Sequence, residues 1–282
     1  MSDILRLLLI STLIAVLAAL GWWLFIASEG VYLGRRIVIL LYDLYASRYD
    51  NVKGYLREYE QLYLAEPIMD FIAPHTAPLV LDVATGTGRL PLAMARHPDF
   101  TGHTIGVDLS RKMLDYATRN IFPYEERATF IWCPAEHLPF PDDTFDVVTC
   151  LEALEFTTNP QAVVRELVRV LRPGGLMLIS QRINTKLMPG KTWTSKQIQQ
   201  VLREAGIADA KAQIWQVDYR KVWAWKDGKS QPTGVRPLTE ILRCPHCGQI
   251  YMAKQGGIWL CENCRREAKV GKDGVIELFP MS

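Results

Sequence analysis

The stretch LDVATGTGRL has the residue types of a ligand-binding turn. Its apolar residues predict a short strand that carries Asp82 near its end. Small residues follow in the turn, at Ala84, Gly86 and Gly88. The dinucleotide pattern needs a third glycine where Pro91 stands, and no Gly-Lys-Ser/Thr follows as in a phosphate-binding loop. Small residues allow a ligand to approach the backbone closely, and an acid suits a cationic group better than a phosphate.

A second acid, Asp108, ends the next predicted strand, 20 residues after Gly88. At this place in doubly wound sheets, an acid hydrogen-bonds both ribose hydroxyls. The two acids and the glycine turn therefore predict a ligand that has a ribose and a positive charge but no phosphate.

Four of the six cysteines form two Cys-x-x-Cys pairs near the C-terminal end, 13 residues apart. This spacing is typical of a closed tetrahedral zinc site with a structural role, and disulfides are the weaker alternative in a reducing compartment. The predicted ligands are Cys244, Cys247, Cys261 and Cys264.

Strands and helices alternate from Leu79 onward, and the strands are continuously apolar. This pattern predicts an α/β fold with a doubly wound, Rossmann-like, mostly parallel seven-stranded sheet covered on both faces. The last two strands, within AQIWQVDYRKVWAWK, are expected to form an antiparallel pair. The sequence RPGG is expected to end the helix before the fifth strand.

The N-terminal run from Leu7 to Ala27 has no charged residue and is 21 residues long, enough to cross a bilayer as a helix. A cleaved signal peptide and a buried core helix are the alternatives. Arginines are more frequent after the run than before it, which favours a cytoplasmic C-terminal body.

The formal net charge is only +2, which predicts little attraction for nucleic acid. Changes in composition and pattern along the chain predict five segments. The segments are a transmembrane anchor (1–30), an amphipathic or helical lead-in (31–78), a ligand-binding domain (79–226), a Gly- and Pro-rich linker (227–237) and a zinc ribbon (238–282).

Four stretches in order, VLDVATGTG, GVDLSRKML, PAEHLPFPDDTFDVV and VLRPGG, resemble the consecutive motifs of the class I S-adenosylmethionine-dependent methyltransferases, including the quinone-biosynthesis type. The resemblance covers about residues 40 to 226. It implies that Asp82 and the turn hold the methionine part, and that Asp108 holds the ribose. The full set of implied cofactor contacts is Tyr49, Asp82, Ala84, Thr85, Gly86, Gly88, Asp108, Leu109, Ala135 and Glu136.

The sequence departs from this family at two places. Pro134 stands where many members have an acid that bonds the adenine amine, so backbone groups or Glu136 are expected to replace it. In TCLEALEFTTNP, Glu152 and Glu155 match a Glu-x-x-Glu-His metal motif, but Phe156 replaces the histidine. The two glutamates, expected to share a helix face, are the candidate catalytic residues; a metal site, a general base and a metal-free pocket remain open.

The C-terminal segment resembles the small zinc-ribbon activator of tRNA and protein methyltransferases, here fused in cis. The sequence thus predicts a membrane-anchored methyltransferase that uses S-adenosylmethionine and zinc. The favoured acceptor is a membrane-associated amphiphile such as a quinone precursor, a phenol or a lipid. The alternatives are an RNA or protein methyltransferase, with the ribbon also able to bind a protein partner, and a non-catalytic scaffold.

Overall fold

The computed structural model describes residues 3–250 and 252–279. Helices α1–α10 are Asp3–Trp22, Arg35–Tyr45, Tyr49–Lys53, Arg57–Glu60, Glu66–Ile72, Arg89–Arg96, Arg111–Asn120, Pro160–Val170, Ser195–Glu204 and Leu238–Ile241. Strands β1–β11 are Leu79–Val83, His103–Asp108, Ala128–Trp132, Phe145–Cys150, Leu171–Arg182, Ile207–Ile214, Tyr219–Lys226, Met252–Gln255, Ile258–Cys261, Glu267–Val270 and Ile276–Glu277.

The centre of the sheet is parallel, with β1 between β2 and β4, while β3 and β5 lie outside them. Strand β7 pairs antiparallel with both β5 and β6 and completes this side of the sheet. Every residue of β1 and β4 is buried. Such strands read as unbroken apolar runs because helices cover both faces. The predicted fold class is confirmed.

The sheet continues beyond the seven predicted strands. Strand β11 pairs parallel with β3, and the described strands follow the order β6-β7-β5-β4-β1-β2-β3-β11-β10-β9-β8. An exposed edge strand presents unpaired N–H and C=O groups. Here the edge of β3 is satisfied by the C-terminal segment, since the Leu278 amide donates to the Trp132 carbonyl at 3.1 Å.

Side chains reinforce this junction. Arg111 donates to both carboxylate oxygens of Asp273 at 2.7 and 2.8 Å, and through Nε to Glu277 at 2.9 Å. The Phe279 ring packs edge-on against Trp132, with centroids 5.4 Å apart. Apolar residues of the C-terminal segment belong to the same buried core as strands β1–β5. The C-terminal segment therefore packs into the same core as the parallel sheet.

The segment 227–237 has no regular secondary structure, as its composition predicts, but it is not a free linker. The amides of Thr233 and Gly234 donate to the carboxylate of Asp146 at 2.8 and 3.0 Å. The same buried carboxylate accepts from the Leu79 amide and from Arg172, and these donors outweigh burial and lower its pKa. A fully buried anion thus fixes the path of the segment.

Strand β5 begins earlier than the sequence indicates. The RPGG residues lie within it rather than before it. The pairing of β5 with β4 shifts register there, from Phe145 opposite Leu171 to Val147 opposite Leu176. The extra residues form an irregularity in the strand, and Gly174 adopts a φ of +73°, which favours glycine. A turn signal and a bulge therefore look alike in sequence.

The N-terminal helix continues through a π-helical turn to Ala27, giving 25 residues whose most apolar 18-residue window has a mean hydropathy of 2.4 and is not buried. By length and composition it could cross a membrane, and a signal sequence would have the same properties. Its end contacts the body of the protein, because the Trp23 indole donates to the Leu187 carbonyl at 2.9 Å. Helices α2–α5 then form the predicted helical lead-in.

Candidate active site

A cavity of about 850 Å³, open to solvent, lies at the carboxyl ends of β1, β2 and β4. Ligands bind at this edge in doubly wound sheets because the strand order reverses there. Eight of the predicted site residues line it: Tyr49, Ala84, Gly86, Asp108, Leu109, Ala135, Glu136 and Glu152. Asp82 and Thr85 line an adjoining cavity that shares Tyr49, Ala84, Gly86 and Glu152 with the first.

The glycine turn adopts the left-handed backbone conformation at three of its positions, with φ of +57° at Ala84, +56° at Gly86 and +79° at Gly88. Gly86 faces the cavity, and a Cβ there would lie 4.0 Å from the Tyr49 ring. Gly88 does not line the cavity. A Cβ at Gly88 would lie 3.0 Å from that of Ala117, so this glycine lets α6 pack closely against α7.

Asp82 is buried at the end of β1 and accepts hydrogen bonds from the hydroxyls of Thr85 and Thr149, both at 2.6 Å. Burial raises its pKa to about 6, against the opposing effect of these two hydroxyl donors. Asp82 therefore links the glycine turn that follows β1 to strand β4.

Asp108, at the end of β2, accepts from the backbone amides of Gly86 and Ser110, each at 2.8 Å. Burial raises its pKa to about 6, and these amide donors limit the rise. The carboxylate thus joins the glycine turn to the start of α7. Each carboxylate oxygen has more than one lone pair, so Asp108 can accept further hydrogen bonds from a ligand's hydroxyls.

Apolar residues surround the side of the cavity where the resemblance implies an adenine. Leu109 lines it, and its carbonyl accepts from the Trp132 indole at 2.8 Å. Cys133, Ala135 and Glu136 also line this side, whereas Pro134 is not part of the lining. Glu136 lies 3.8 Å from Arg35, a lining residue from α2 that the sequence interpretation missed.

Glu152 brings a carboxylate to the acceptor side of the cavity. It accepts from Arg89 at 2.8 Å and from the Gln216 amide at 3.2 Å. The Arg89 guanidinium lies between the rings of Tyr55 and Trp215, at 4.3 and 4.8 Å from their centroids. Nearby anions and Tyr55 raise the pKa of Arg89 despite burial. Sequence reasoning missed Arg89, although a charged residue directly after a buried turn is a usable signal.

Glu155 does not line the active-site cavity. Its carboxylate accepts from the Tyr219 hydroxyl at 2.5 Å and lies 3.5 Å from Arg182, in a smaller neighbouring cavity. Burial raises its pKa. Glu152 has a φ of +53°, and only a short 3₁₀ turn, Leu154–Phe156, follows it. The expectation that the two glutamates share a helix face was therefore wrong.

Aromatic side chains close the remaining wall. The rings of Tyr42 and Tyr49 have centroids 6.0 Å apart, and Phe156 packs edge-on to Tyr42 at 5.8 Å. All three residues line the cavity. Tyr45, on the same helix as Tyr42, is not part of the lining. Sequence reasoning missed Tyr42, because a 3₁₀ turn, Ala46–Arg48, separates its helix from Tyr49 and the approach of the two rings depends on how α2 packs.

The four cysteines converge as predicted. Their sulfur atoms all lie within 4.8 Å of one another, with Cys244 and Cys264 at 3.6 Å and Cys247 and Cys261 at 3.5 Å. These separations are too long for disulfides. Four sulfurs at about 2.3 Å from a central zinc lie about 3.8 Å apart, so the cluster has the size of a tetrahedral zinc site.

The sheet carries an acid at the end of each of its first two strands, Asp82 and Asp108, beside a cavity at its carboxyl edge. This arrangement is typical of α/β proteins that bind a nucleoside-type ligand. Residues 81–179 match the family model described as a methyltransferase domain. This match over residues 81–179 agrees with the methyltransferase resemblance seen in the sequence.

Named relatives agree with this assignment. The chain is 40% identical over 102 residues to the ubiquinone/menaquinone biosynthesis C-methyltransferase UbiE of Geobacter sulfurreducens, covering 36% of this chain and 40% of that protein. It is 31% identical over 144 residues to the demethylmenaquinone methyltransferase of Clavibacter sepedonicus, covering 51% and 57%. The chain thus spans about half the length of these relatives or less.

A structure from Methanococcus maripaludis, provisionally described as an S-adenosyl-L-methionine-dependent methyltransferase, has the same fold. Its TM-score is 0.54 at 20% identity, and the match covers 67% of this chain and 94% of that one.

Proposed function

We propose that the protein is a membrane-anchored methyltransferase that transfers a methyl group from S-adenosylmethionine to a membrane-associated amphiphile. The observation that carries this proposal is the composition of the cavity. Two buried acids and a glycine turn lie on one side, and a wall of Tyr42, Tyr49 and Phe156 lies on the other. The names of the quinone-pathway relatives support a small-molecule acceptor.

The residues present fit the methyl donor. S-adenosylmethionine supplies an electrophilic methyl group on a positively charged sulfur. Asp108 would accept from the ribose hydroxyls, and Leu109 and Ala135 would pack against the adenine. Gly86 lines the cavity without a side chain and so leaves room for the methionine part.

The aromatic wall would position the acceptor and exclude water from it, which is enough for catalysis when the acceptor is already a good nucleophile. Where the acceptor must lose a proton, Glu152 is the candidate base because it lines the cavity. Its bonds to Arg89 and Gln216 fix the carboxylate in place. Glu155 would act only as a positioning residue, through Tyr219 and Arg182.

The N-terminal helix supports membrane anchoring by its length and hydropathy. We place the catalytic body in the cytoplasm from the excess of arginine after the helix. Four cysteine sulfurs support a structural zinc ion in the C-terminal ribbon, with no open position for catalysis.

Calorimetry tests the first step. Wild-type protein should bind S-adenosylmethionine saturably, and Asp108→Ala should weaken binding by about 1.5–3 kcal/mol through loss of hydrogen bonds to a charged acceptor. Asp99→Ala, a change outside the cavity, is the matched control. If the wild type shows no saturable binding, the enzyme proposal is refuted and a non-catalytic role is favoured.

Methyl-label transfer into a membrane extract tests the acceptor. Lipid, protein and RNA fractions are separated after incubation with labelled S-adenosylmethionine, and the label should enter the lipid fraction. Label that enters only RNA or only protein would overturn the amphiphile proposal and favour a macromolecular acceptor.

A further inference from the structure

A second cavity lies where the apolar N-terminal helix meets the body of the protein. We call it the junction groove; its volume is about 770 Å³, and it is open on one side. Phe25 and Ile26 line it from the end of the N-terminal helix, Leu41 and Tyr45 from α2, and Val52 from α3. Most of these apolar side chains are exposed, with Val52 at 66% and Ile26 at 50%. Exposed apolar surface that clusters in one concave place marks a binding site.

The junction groove and the candidate active site share a wall. Tyr42 and Tyr49 line both cavities. Their ring centroids are 6.0 Å apart, and Tyr49 also lies against Gly86 in the glycine turn. The groove therefore backs directly onto the place where the methyl donor would bind, separated from it by two side chains rather than by a backbone layer.

Two polar groups of the groove, the Glu29 carboxylate and the Tyr42 hydroxyl, are already engaged with each other. Among its described lining residues the one carboxylate is Glu29, which accepts from the Tyr42 hydroxyl at 2.9 Å and lies 4.0 Å from Arg182. Burial raises the pKa of Tyr42 well above its usual value, so this hydroxyl stays protonated as a donor. A peptide or nucleotide would need polar partners that this lining does not supply, whereas a hydrocarbon chain needs none.

We propose that the junction groove binds the hydrocarbon chain of the methyl acceptor, while the reactive head of the same molecule reaches the active-site cavity past Tyr42 and Tyr49. This inference rests on the proposed methyltransferase function and adds the acceptor's chain site to it. The groove opens beside the last turn of the helix that is long enough to span a bilayer. A membrane-resident acceptor could then pass its head to the active site without bringing its chain into water, which would cost about 0.8 kcal/mol per methylene.

Photolabelling of the full chain tests the site. The protein is placed in phosphatidylcholine vesicles with a phenol that carries a hexadecyl chain and a diazirine midway along that chain. After irradiation, peptide mass spectrometry should find the label on groove residues such as Ile26, Leu41 and Val52. A phenol with an ethyl chain that carries the same diazirine should not label them.

Two variants fill the groove, Leu41→Trp and Val52→Trp. Each should reduce labelling of the groove about tenfold, the factor expected when about two methylenes lose contact. Leu44→Trp is the matched control, because Leu44 lies on the same helix as Leu41, is 63% exposed and does not line the groove. Thermal unfolding of each variant confirms that it is folded, and two filling variants at different elements guard against the failure of one.

The outcomes separate this inference from the proposed function. Labelling confined to the lipid-facing side of the N-terminal helix, or unchanged by both filling variants, would mean that only surrounding lipid is detected, and the inference would be wrong. Calorimetry of S-adenosylmethionine binding is run on the same samples. Donor binding without groove labelling overturns the chain site alone; groove labelling without donor binding overturns the methyltransferase instead.

Discussion

Replacing Phe279 by alanine should weaken the binding of S-adenosylmethionine, although this residue belongs to the ribbon segment and does not line the active-site cavity. The Phe279 ring packs edge-on against Trp132 at 5.4 Å, and the guanidinium of Arg35 lies 5.6 Å from its centroid. Both partners contribute to the cavity. Trp132 holds the carbonyl of Leu109, and Arg35 itself lines the cavity.

The size of the effect follows from these two contacts. An edge-to-face aromatic pair contributes about 0.5–1.5 kcal/mol, and a partly exposed cation–π contact about 0.5–1 kcal/mol. Only the part of this contact energy that holds Leu109 and Arg35 in position contributes to the affinity for the ligand. We therefore expect Kd to rise about three- to tenfold, where tenfold corresponds to about 1.4 kcal/mol.

Isothermal titration of wild type and Phe279→Ala with S-adenosylmethionine measures this change directly. Phe279→Tyr keeps the ring and should bind as wild type does. Phe122→Ala is the matched control, since Phe122 is also a phenylalanine but is 70% exposed and takes no part in the contacts of the Phe279 ring. Hydrogen exchange of the Leu109 region in the ligand-free protein should increase only in Phe279→Ala. An unchanged Kd together with a lower unfolding temperature would mean that the ring stabilises the ribbon alone, and the coupling argument would fail.

Three further outcomes are expected. Affinity for S-adenosylmethionine should rise with pH and level off above about 6, because the ligand needs ionised Asp108 and burial raises its pKa to about 6; titrations should show about a tenfold change per pH unit below that value, and a smaller change in Asp108→Asn, where Asp82 still titrates near 6. Elemental analysis should find about one zinc per chain, and Cys261→Ser should lose it; metal-free protein with an ordered ribbon would contradict this. Asp146→Ala should lower the free energy of unfolding by about 3–5 kcal/mol, since it leaves several buried donors and Arg172 without an acceptor; urea unfolding against Asp143→Ala, a 51%-exposed carboxylate, measures it.

The wild-type Asp146 should also make stability depend on pH. Its folded pKa is lowered, so its stabilising contribution is present above the ordinary value of 3.8 and is lost as pH falls through the folded pKa. Asp108 acts in the opposite direction, because its raised pKa favours the ligand-free fold at low pH and that contribution is lost as pH rises through about 6. Stability of the ligand-free protein is thus expected to be greatest between these two limits.

The sequence predicted the parts of the fold that depend on local pattern. Strand β1 has the predicted bounds, and the cysteine spacing identified a cluster that the structure brings together. It did not predict that β11 joins β3, because two residues of strand, Ile276–Glu277, have no periodicity to detect. The pairing depends on an edge that exists only after the sheet has formed. The same limit applies to the RPGG segment, whose bulge is set by its partner strand.

Some residues of the candidate site could likewise be predicted from local pattern, and others could not. Asp108 and Gly86 follow strand ends, and topology alone brings such positions to one edge of the sheet. Glu155 could not be placed from sequence, because its direction depends on the left-handed backbone at Glu152 and on a tyrosine more than 60 residues away. Arg35 and Tyr42 reach the cavity through the packing of α2, which local spacing does not define.

The buried Asp146 has a consequence for competition between proteins. Because it fixes Thr233 and Gly234, only residues 235–237 separate this point from α10, a tether that spans about 10 Å when extended. A tether this short keeps the ribbon at a local concentration of about millimolar or more next to the edge of β3. A separate ribbon protein at micromolar concentration would therefore have little chance to take its place. Each parallel sheet thus carries one covalently linked ribbon segment, present in a fixed one-to-one ratio with it.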